Sequence, residues 1–230
     1  MLKKIFDSII RLIFPSLCLS CDEVLYQVEP YLCTSCWGIL PELPTNHLSI
    51  ESIKEKFWGQ IPIRYVSALY YFTNNSPVQK LLHKIKYDCK SEAAFYLGKY
   101  YGKRLAMGSR LLGIDLLMPI PLHSKRLVER GFNQSEAFAK GIGIIMQTPV
   151  DTTTLTRRRN TATQTDKTRE ERLANVQGAF GITSADNIEG KHILLVDDLI
   201  TTGATITAAS EPLIAAGAAS ISAIAMAVAF

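Results

Sequence analysis

The residues with the strongest chemistry are Asp197, Asp198, Thr201, Thr202, Gly203, Ala204 and Thr205, which follow the apolar run Ile193-Leu194-Leu195-Val196. Four consecutive apolar residues read as a central strand covered on both faces, and the strand is expected to stop where the two carboxylates begin. An Ala-rich helical pattern over 204–216 comes next. Unpaired backbone N–H groups at such a helix start, joined by threonine hydroxyls, form an anion cradle. Gly203 lets the backbone approach a phosphate closely. Acids at the carboxyl end of a strand lie where open α/β sheets bind ligands, and their acceptor-only oxygens suit ribose hydroxyls or a hydrated Mg²⁺. The run therefore reads as a sugar-phosphate site.

A second chemistry lies near the start of the chain. Cys18-x-x-Cys21 and Cys33-x-x-Cys36 are two pairs with eleven residues between them, a spacing that brings four thiolates around one tetrahedral Zn²⁺. With every coordination position filled by protein, such an ion is structural and holds together a segment too short for a core of its own. Two disulfides are the competing reading, and they require an oxidising compartment, which no secretory signal supports. Cys89 has no partner spacing and reads as a free thiol.

Two basic stretches flank the acids in sequence. Pro119-Ile120-Pro121-Leu122-His123 leaves a strand, and Lys125, Arg126 and Arg130 then precede Gly131-Phe132-Asn133-Gln134, which opens a helix. Cations close to a strand's carboxyl end suit a pyrophosphate, whose spread charge needs several donors. His123 by itself says little about acid-base work. The long polar stretch over 157–180, with Arg159, Gln164 and Arg172, reads as a hood: a loop of this length in a compact domain is commonly a lid or an insertion. Residues 118–175 hold ten Lys or Arg against six Asp or Glu, an excess equal to that of the whole chain at +4. The positive charge is thus collected where an anionic ligand would use it.

These residues need elements to position them. Strands are expected over 65–72, 114–120, near 150–155, at 193–196 and near 221–229, and helices over 78–87, 93–107 and from 134. Lys80, Lys84 and Lys86 are expected to lie exposed on part of the 78–87 helix. Alternating helix and strand indicate an α/β fold, doubly wound around a mainly parallel sheet, with a small N-terminal zinc-ribbon module. The divisions are 1–42 for an N-terminal helix and the four-cysteine ribbon, 43–64 for a connector with a short helix over 50–57, and 65–230 for the main domain. Ile5, Ile9, Leu12 and Ile13 give the N-terminus an amphipathic pattern that Asp7 and Arg11 interrupt, so it reads as a packed helix and not an anchor. The Ala-rich end, broken by Glu211, Pro212 and glycines, is no membrane span. Hydrophobic content of 47% with 20% charged residues is ordinary for a globular protein, and +4 is too weak to establish nucleic-acid binding.

Val196-Asp197-Asp198 through Thr205 resembles the phosphoribosyl-pyrophosphate (PRPP) motif of type I phosphoribosyltransferases. The ordered set of both cysteine pairs, Pro119-Ile120-Pro121-Leu122, Arg130 to Gln134, Arg159 with Thr163-Gln164, and Arg172-x-x-Asn175 resembles the ComF family over nearly the whole chain. That likeness implies ribose hydroxyls on Asp197 and Asp198, the 5-phosphate on Thr201 to Thr205, pyrophosphate near Lys125, Arg126 and Arg130, and Mg²⁺ travelling with PRPP. It also implies a bacterial cytoplasmic protein that supports DNA uptake, with DNA-uptake proteins among its partners. Lys86-Tyr87-Asp88-Cys89-Lys90 departs from relatives that carry a glycine after the Lys-Tyr pair. Two functions follow: a phosphoribosyltransferase that moves the pentosyl group to a nitrogenous acceptor, and a single-stranded-DNA-binding competence factor that uses the PRPP pocket as a sensor. A nucleotide-salvage phosphoribosyltransferase is a third, against which the cysteine module stands. The acceptor is not written in the motif.

Overall fold

The computed structural model describes residues 14–26, 28–44, 47–88, 90–108, 113–159 and 178–230. The N-terminal amphipathic pattern, Cys89, and the hood residues Gln164 and Arg172 lie outside them.

The element order begins with α1 (Thr34–Ile39) in the cysteine module and α2 (His47–Lys54) in the connector. It continues with β1 (Ile63–Phe72), α3 (Pro77–Tyr87), α4 (Ser91–Ala106), β2 (Leu116–Pro119), α5 (Ser124–Arg130) and α6 (Gln134–Met146). A short ribbon of β3 (Leu155–Arg157) and β4 (Phe180–Ile182) precedes β5 (His192–Ile200), α7 (Ala204–Ala215) and β6 (Ser220–Ala229). The central sheet has the order β1-β6-β5-β2 with every pair parallel, and β3 and β4 pair antiparallel as a separate ribbon.

Side-chain alternation along β5 shows how both faces of the sheet are covered. Leu194 and Val196 enter one core with the apolar residues of α3, α4, α6 and the cysteine module, including Leu19, Leu32 and Leu40. Ile193 and Leu195 enter the other core with Ile53, Phe57, Phe180 and Leu213 from the connector, ribbon and α7. A strand buried on both sides needs this continuous apolar run, and a doubly wound parallel sheet supplies the two layers.

Two sequence expectations are corrected. Strand β5 does not stop at the carboxylates: Asp197 pairs with Ala225, and Leu199 and Ile200 continue against Ala227 and Val228. The long partner β6 keeps offering ladder hydrogen bonds, so the acids project from a strand interior and are held by the sheet. The stretch near 150–155 is a strand only from Leu155, and Val150 makes a single parallel bridge to Leu117. Asp151 turns the chain there by accepting N–H bonds from Thr153 and Thr154 at 2.8 and 2.9 Å.

The α4–α6 contact sets where α6 begins, and hence where Gln134 stands. Gly98 and Gly141 face one another across it: a Cβ on Gly98 would lie 2.2 Å from the Phe138 carbonyl oxygen, and one on Gly141 2.2 Å from that of Phe95. Backbones this close leave room for hydrogen alone at both positions.

Candidate functional site

Asp197 and Asp198 follow the alternation of β5, so they leave the sheet on opposite faces. Asp198 points to the layer of α3 and α6. Lys86, in the last turn of α3, places Nζ 2.9 Å from Asp198 Oδ2, and Gln134 Nε2 donates to the same oxygen at 2.5 Å. The Asp198 backbone N–H in turn donates to Asp197 Oδ1 at 2.8 Å.

The two acids are driven apart in proton affinity. Burial, reinforced by the neighbouring Asp198 charge, pushes Asp197 up to about 7, against the opposing pull of the Asp198 N–H, Lys86 and Arg157. Burial also acts on Asp198, but Lys86, the Gln134 hydrogen bond and Arg130 outweigh it and hold its pKa below the ordinary carboxylate value. Around neutral pH the pair therefore carries one firm charge and one that titrates.

The segment between β2 and α6 is built to reach this pair. The Ile120 N–H donates to the Val196 carbonyl at 2.8 Å, which registers the end of β2 against β5. His123 caps α5, its Nδ1 accepting from the Lys125 N–H at 3.3 Å. Helix α5 ends at Gly131 in the left-handed region. Asn133 then caps α6 by accepting from the Ser135 N–H, and its Nδ2 donates back to the Ile120 carbonyl at 3.0 Å. Gly131, Asn133 and Gln134 thus each have a task, and the last of them delivers a carboxamide to Asp198. The basic stretch between β2 and α6 is itself a helix. Lys125 is exposed on it, whereas Arg130 lies with its guanidinium carbon 5.4 Å from the ring centroid of Tyr87, the residue after Lys86.

On the opposite face Arg157 of β3 stacks 5.3 Å from the Phe180 ring centroid. Its pKa is lowered by burial and by the Arg126 guanidinium, against the attraction of Asp197 and Asp198, which places Arg126, Arg157 and the acids in one electrostatic neighbourhood. Arg159 lies two residues further along the ribbon, outside β3.

Beyond Asp198 the chain makes bends at Thr201, Thr202 and Gly203 before α7. The Ala204 N–H lies 3.4 Å from Thr202 Oγ1. Gly203, at φ +83°, is the residue before α7, and a Cβ there would meet the Phe57 ring at 2.9 Å. Its glycine is therefore required by a left-handed turn and by the connector packed beneath it. Thr207 Oγ1, one turn into α7, donates to Gln60 Oε1 at 3.1 Å. The connector thus braces the underside of the threonine turn.

A model of the phosphoribosyl transferase domain matches residues 133–229, from the Asn133 cap into β6. The DNA utilization protein YhgH of Salmonella typhi is 32% identical over 148 residues, covering 63% of this chain and 64% of that protein. The match thus spans just under two thirds of that relative's length. The competence protein ComFC of Streptococcus pneumoniae is 28% identical over 202 residues, 88% of this chain and 83% of its own. Residues 133–229 thus match the phosphoribosyl transferase domain family, and the chain is similar to these DNA utilization and competence proteins. Among solved structures, an allosteric regulatory enzyme of purine biosynthesis is similar at 24% identity and a TM-score of 0.37, over 55% of this chain and 25% of that one.

The second cluster is formed by the four cysteines. Their sulfurs all lie within 4.8 Å of one another, and Cys21 Sγ is 3.7 Å from Cys33 Sγ. A tetrahedral zinc–thiolate site with bonds of about 2.3 Å spaces its sulfurs by about 3.8 Å, whereas a disulfide needs about 2.05 Å. All four thiols are free, and their spacing suits a metal better than a disulfide. The N–H groups of Ser20 and Cys33 donate to Cys18 Sγ, and that of Cys36 to Cys33 Sγ. Burial works against ionising Cys18, but the N–H groups of Cys33, Cys21 and Ser20 prevail and bring it down to about 7. Burial and the neighbouring thiols push Cys36 up. Inward N–H donors with sulfurs gathered at this spacing fit a thiolate-bound cation.

Lys86, Gln134 and Arg157 are the site residues that sequence reasoning missed. For Lys86 a signal existed: Val78, Leu81, Leu82 and Ile85 are the buried stripe of α3, and Lys86 sits four residues after Leu82, on that stripe's edge. Instead of lying exposed like Lys80, Lys84 and Lys86 are mostly buried and paired, Lys84 with Asp22 of the cysteine module. No helix among the described residues is long and apolar enough to cross a membrane.

Proposed function

We propose that this protein binds Mg²⁺-PRPP across the end of β5. The 5-phosphate sits on the threonine turn and the α7 N-terminus, through Thr201, Thr202, Gly203, Ala204 and Thr205. The ribose 2′- and 3′-hydroxyls donate to Asp197 and Asp198. Arg130 and Arg126 lie toward the pyrophosphate, with Arg159 at the start of the hood segment. The observation that carries this reading is the buried acid pair leading directly into a left-handed, threonine-rich helix start, with cations from three separate elements converging on it.

The chemistry such a site supports is transfer of the phosphoribosyl group to a nitrogen nucleophile. The C1–pyrophosphate bond breaks with both electrons going to the pyrophosphate, and the acceptor nitrogen forms the new C1 bond. Mg²⁺ bound with PRPP supplies charge shielding for the leaving group, and Asp197 and Asp198 are the hard oxygen donors at hand for it. The protein's own contribution is positioning and electrostatic stabilisation of the cationic sugar. For the cysteine cluster we assign structural Zn²⁺, held by Cys18, Cys21, Cys33 and Cys36.

The names of the relatives, one a DNA utilization protein and the other a competence protein, support a role in DNA uptake. Calorimetry tests both halves. Mg²⁺-PRPP is expected to bind wild type and to lose at least roughly tenfold in affinity in Asp198→Asn, as expected for a lost charged hydrogen-bond acceptor. A single-stranded oligonucleotide in the same cell is expected to show salt-dependent binding that Asp198→Asn leaves intact. Absence of oligonucleotide binding at low salt removes the direct DNA role.

A further inference from the structure

We propose that Cys21 and Cys33 are an oxidation site: a hydroperoxide joins the two sulfurs in a disulfide, opens the cysteine cluster and loosens its hold on α3. The inference rests on the zinc assignment above and not on the PRPP reading, and it gives the cluster a second chemical state.

The four cysteines are not equivalent. Cys18 and Cys36 are buried, at 0% and 2% exposure, Cys33 is half-buried and Cys21 is exposed. Cys21 Sγ lies 3.7 Å from Cys33 Sγ, so the sulfur that solvent reaches first touches the next most accessible one. Oxidants select thiolates by exposure, and buried structural cysteines are inert toward them. A disulfide needs its sulfurs about 2.05 Å apart, so this pair starts within about 1.7 Å of bonding distance.

The oxidation needs no co-reactant besides the hydroperoxide. The Cys21 thiolate attacks one peroxide oxygen, the O–O bond breaks, and the other oxygen leaves as hydroxide or alkoxide, with Cys21 now a sulfenic acid. The Cys33 thiolate then attacks that sulfur, forms the S–S bond and expels hydroxide. Two electrons pass from the two sulfurs to the peroxide, and solvent protons convert both departing oxygens to water or alcohol. Cys18 and Cys36 are left, and two thiolates do not complete the four-coordinate set that structural Zn²⁺ requires.

The turn that carries Cys21 is tied to α3. Asp22, next in sequence, stands in the left-handed region at φ +68°, donates its N–H to the Cys18 carbonyl at 3.1 Å and pairs through its carboxylate with Lys84. Lys84 Nζ also reaches the Cys18 carbonyl at 3.4 Å, and Ser20 Oγ lies 3.5 Å from the Pro77 carbonyl. A non-glycine residue keeps such a backbone only while its surroundings hold it there. Drawing Cys21 onto Cys33 pulls on this turn, so the oxidised module holds α3 less firmly.

The test uses the full chain carrying Cys89→Ser, which leaves the four module thiols as its only cysteines. Zinc-loaded protein is treated with hydrogen peroxide while a chromogenic chelator reads the metal and alkylation with mass mapping reads the thiols. One equivalent of zinc per chain is expected to appear in step with a linked Cys21–Cys33 peptide, with Cys18 and Cys36 still alkylated after denaturation. Before oxidation, Cys21 is expected to alkylate at least roughly tenfold faster than Cys18 or Cys36. Amide exchange over 81–84 in α3 is expected to quicken on oxidation, and a thiol reductant with added zinc to restore it. Zinc retained through the peroxide treatment, a first disulfide joining any other pair, or unchanged exchange in α3 overturns the inference and leaves the zinc assignment standing. A chain that holds no zinc before oxidation overturns both.

Discussion

Asp197 and Asp198 are adjacent in sequence yet serve different electrostatic ends. Asp198 is held ionised by Lys86, and Asp197, buried with no such ion pair among the described residues, is pushed up to about 7. A carboxyl whose folded pKa lies above its unfolded value contributes stability that is fully present below about pH 4 and is lost as pH rises toward the folded pKa. Asp197→Asn, which does not titrate, should match wild type near pH 4 and exceed it by roughly 2 to 4 kcal/mol at pH 8. Urea unfolding at both pH values checks this, and a difference independent of pH would show that Asp197 ionises normally in the fold. The sequence singled the pair out through the whole ordered run, four apolar residues, two acids and then the threonine–glycine turn, because two acids alone are more often ordinary helix-capping residues. The division of labour was not legible there, since it depends on Lys86 and Gln134, which lie far away in sequence and meet Asp198 only through the packing of α3 and α6.

The elements around the acids act as brackets. Helix α6 must begin where Gln134 reaches Asp198, and the Gly98–Gly141 contact fixes its distance from α4. Gly98→Ala would drive a methyl into the Phe138 carbonyl, at an expected cost of about 1–3 kcal/mol, typical of overpacking in a tight interface. Thermal unfolding reads the loss, and an unchanged midpoint would mean that the two helices separate freely. Most elements were foreseen from periodicity, including β1, α3, α4 and β6. Where prediction failed, the cause was a long-range partner or a local cap. β5 runs through its acids because β6 continues alongside them. The basic stretch became α5 because His123 caps one end and Gly131 closes the other. The glycine of the threonine turn was assigned to ligand approach, whereas Phe57 of the connector occupies the space a side chain would need.

At the scale of the whole molecule, the cysteine module and the acid pair grip the same helix. Ser20 Oγ lies 3.5 Å from the Pro77 carbonyl at the start of α3, Lys84 pairs with Asp22 and reaches the Cys18 carbonyl, and Lys86 pairs with Asp198. Leu19, Leu32 and Leu40 share their core with α3 and α4, so loss of the zinc proposed above is expected to be felt beyond the module itself. Chelation is expected to lower the melting temperature by roughly 5–10 °C, the scale of a few kcal/mol in a chain of this size, and to speed amide exchange in α3. An unchanged midpoint with unchanged exchange would make the module an independent appendage. The spacing of the cysteines announced their site, but its grip on α3 runs through single contacts that no local pattern records. The central claim is that the end of β5 is a PRPP site, and isothermal calorimetry of Mg²⁺-PRPP against wild type and Asp198→Asn addresses it most directly. Saturable, Mg²⁺-dependent binding to wild type that falls at least roughly tenfold in the variant is the predicted result. Absence of binding to folded, zinc-loaded wild type at millimolar PRPP would contradict it.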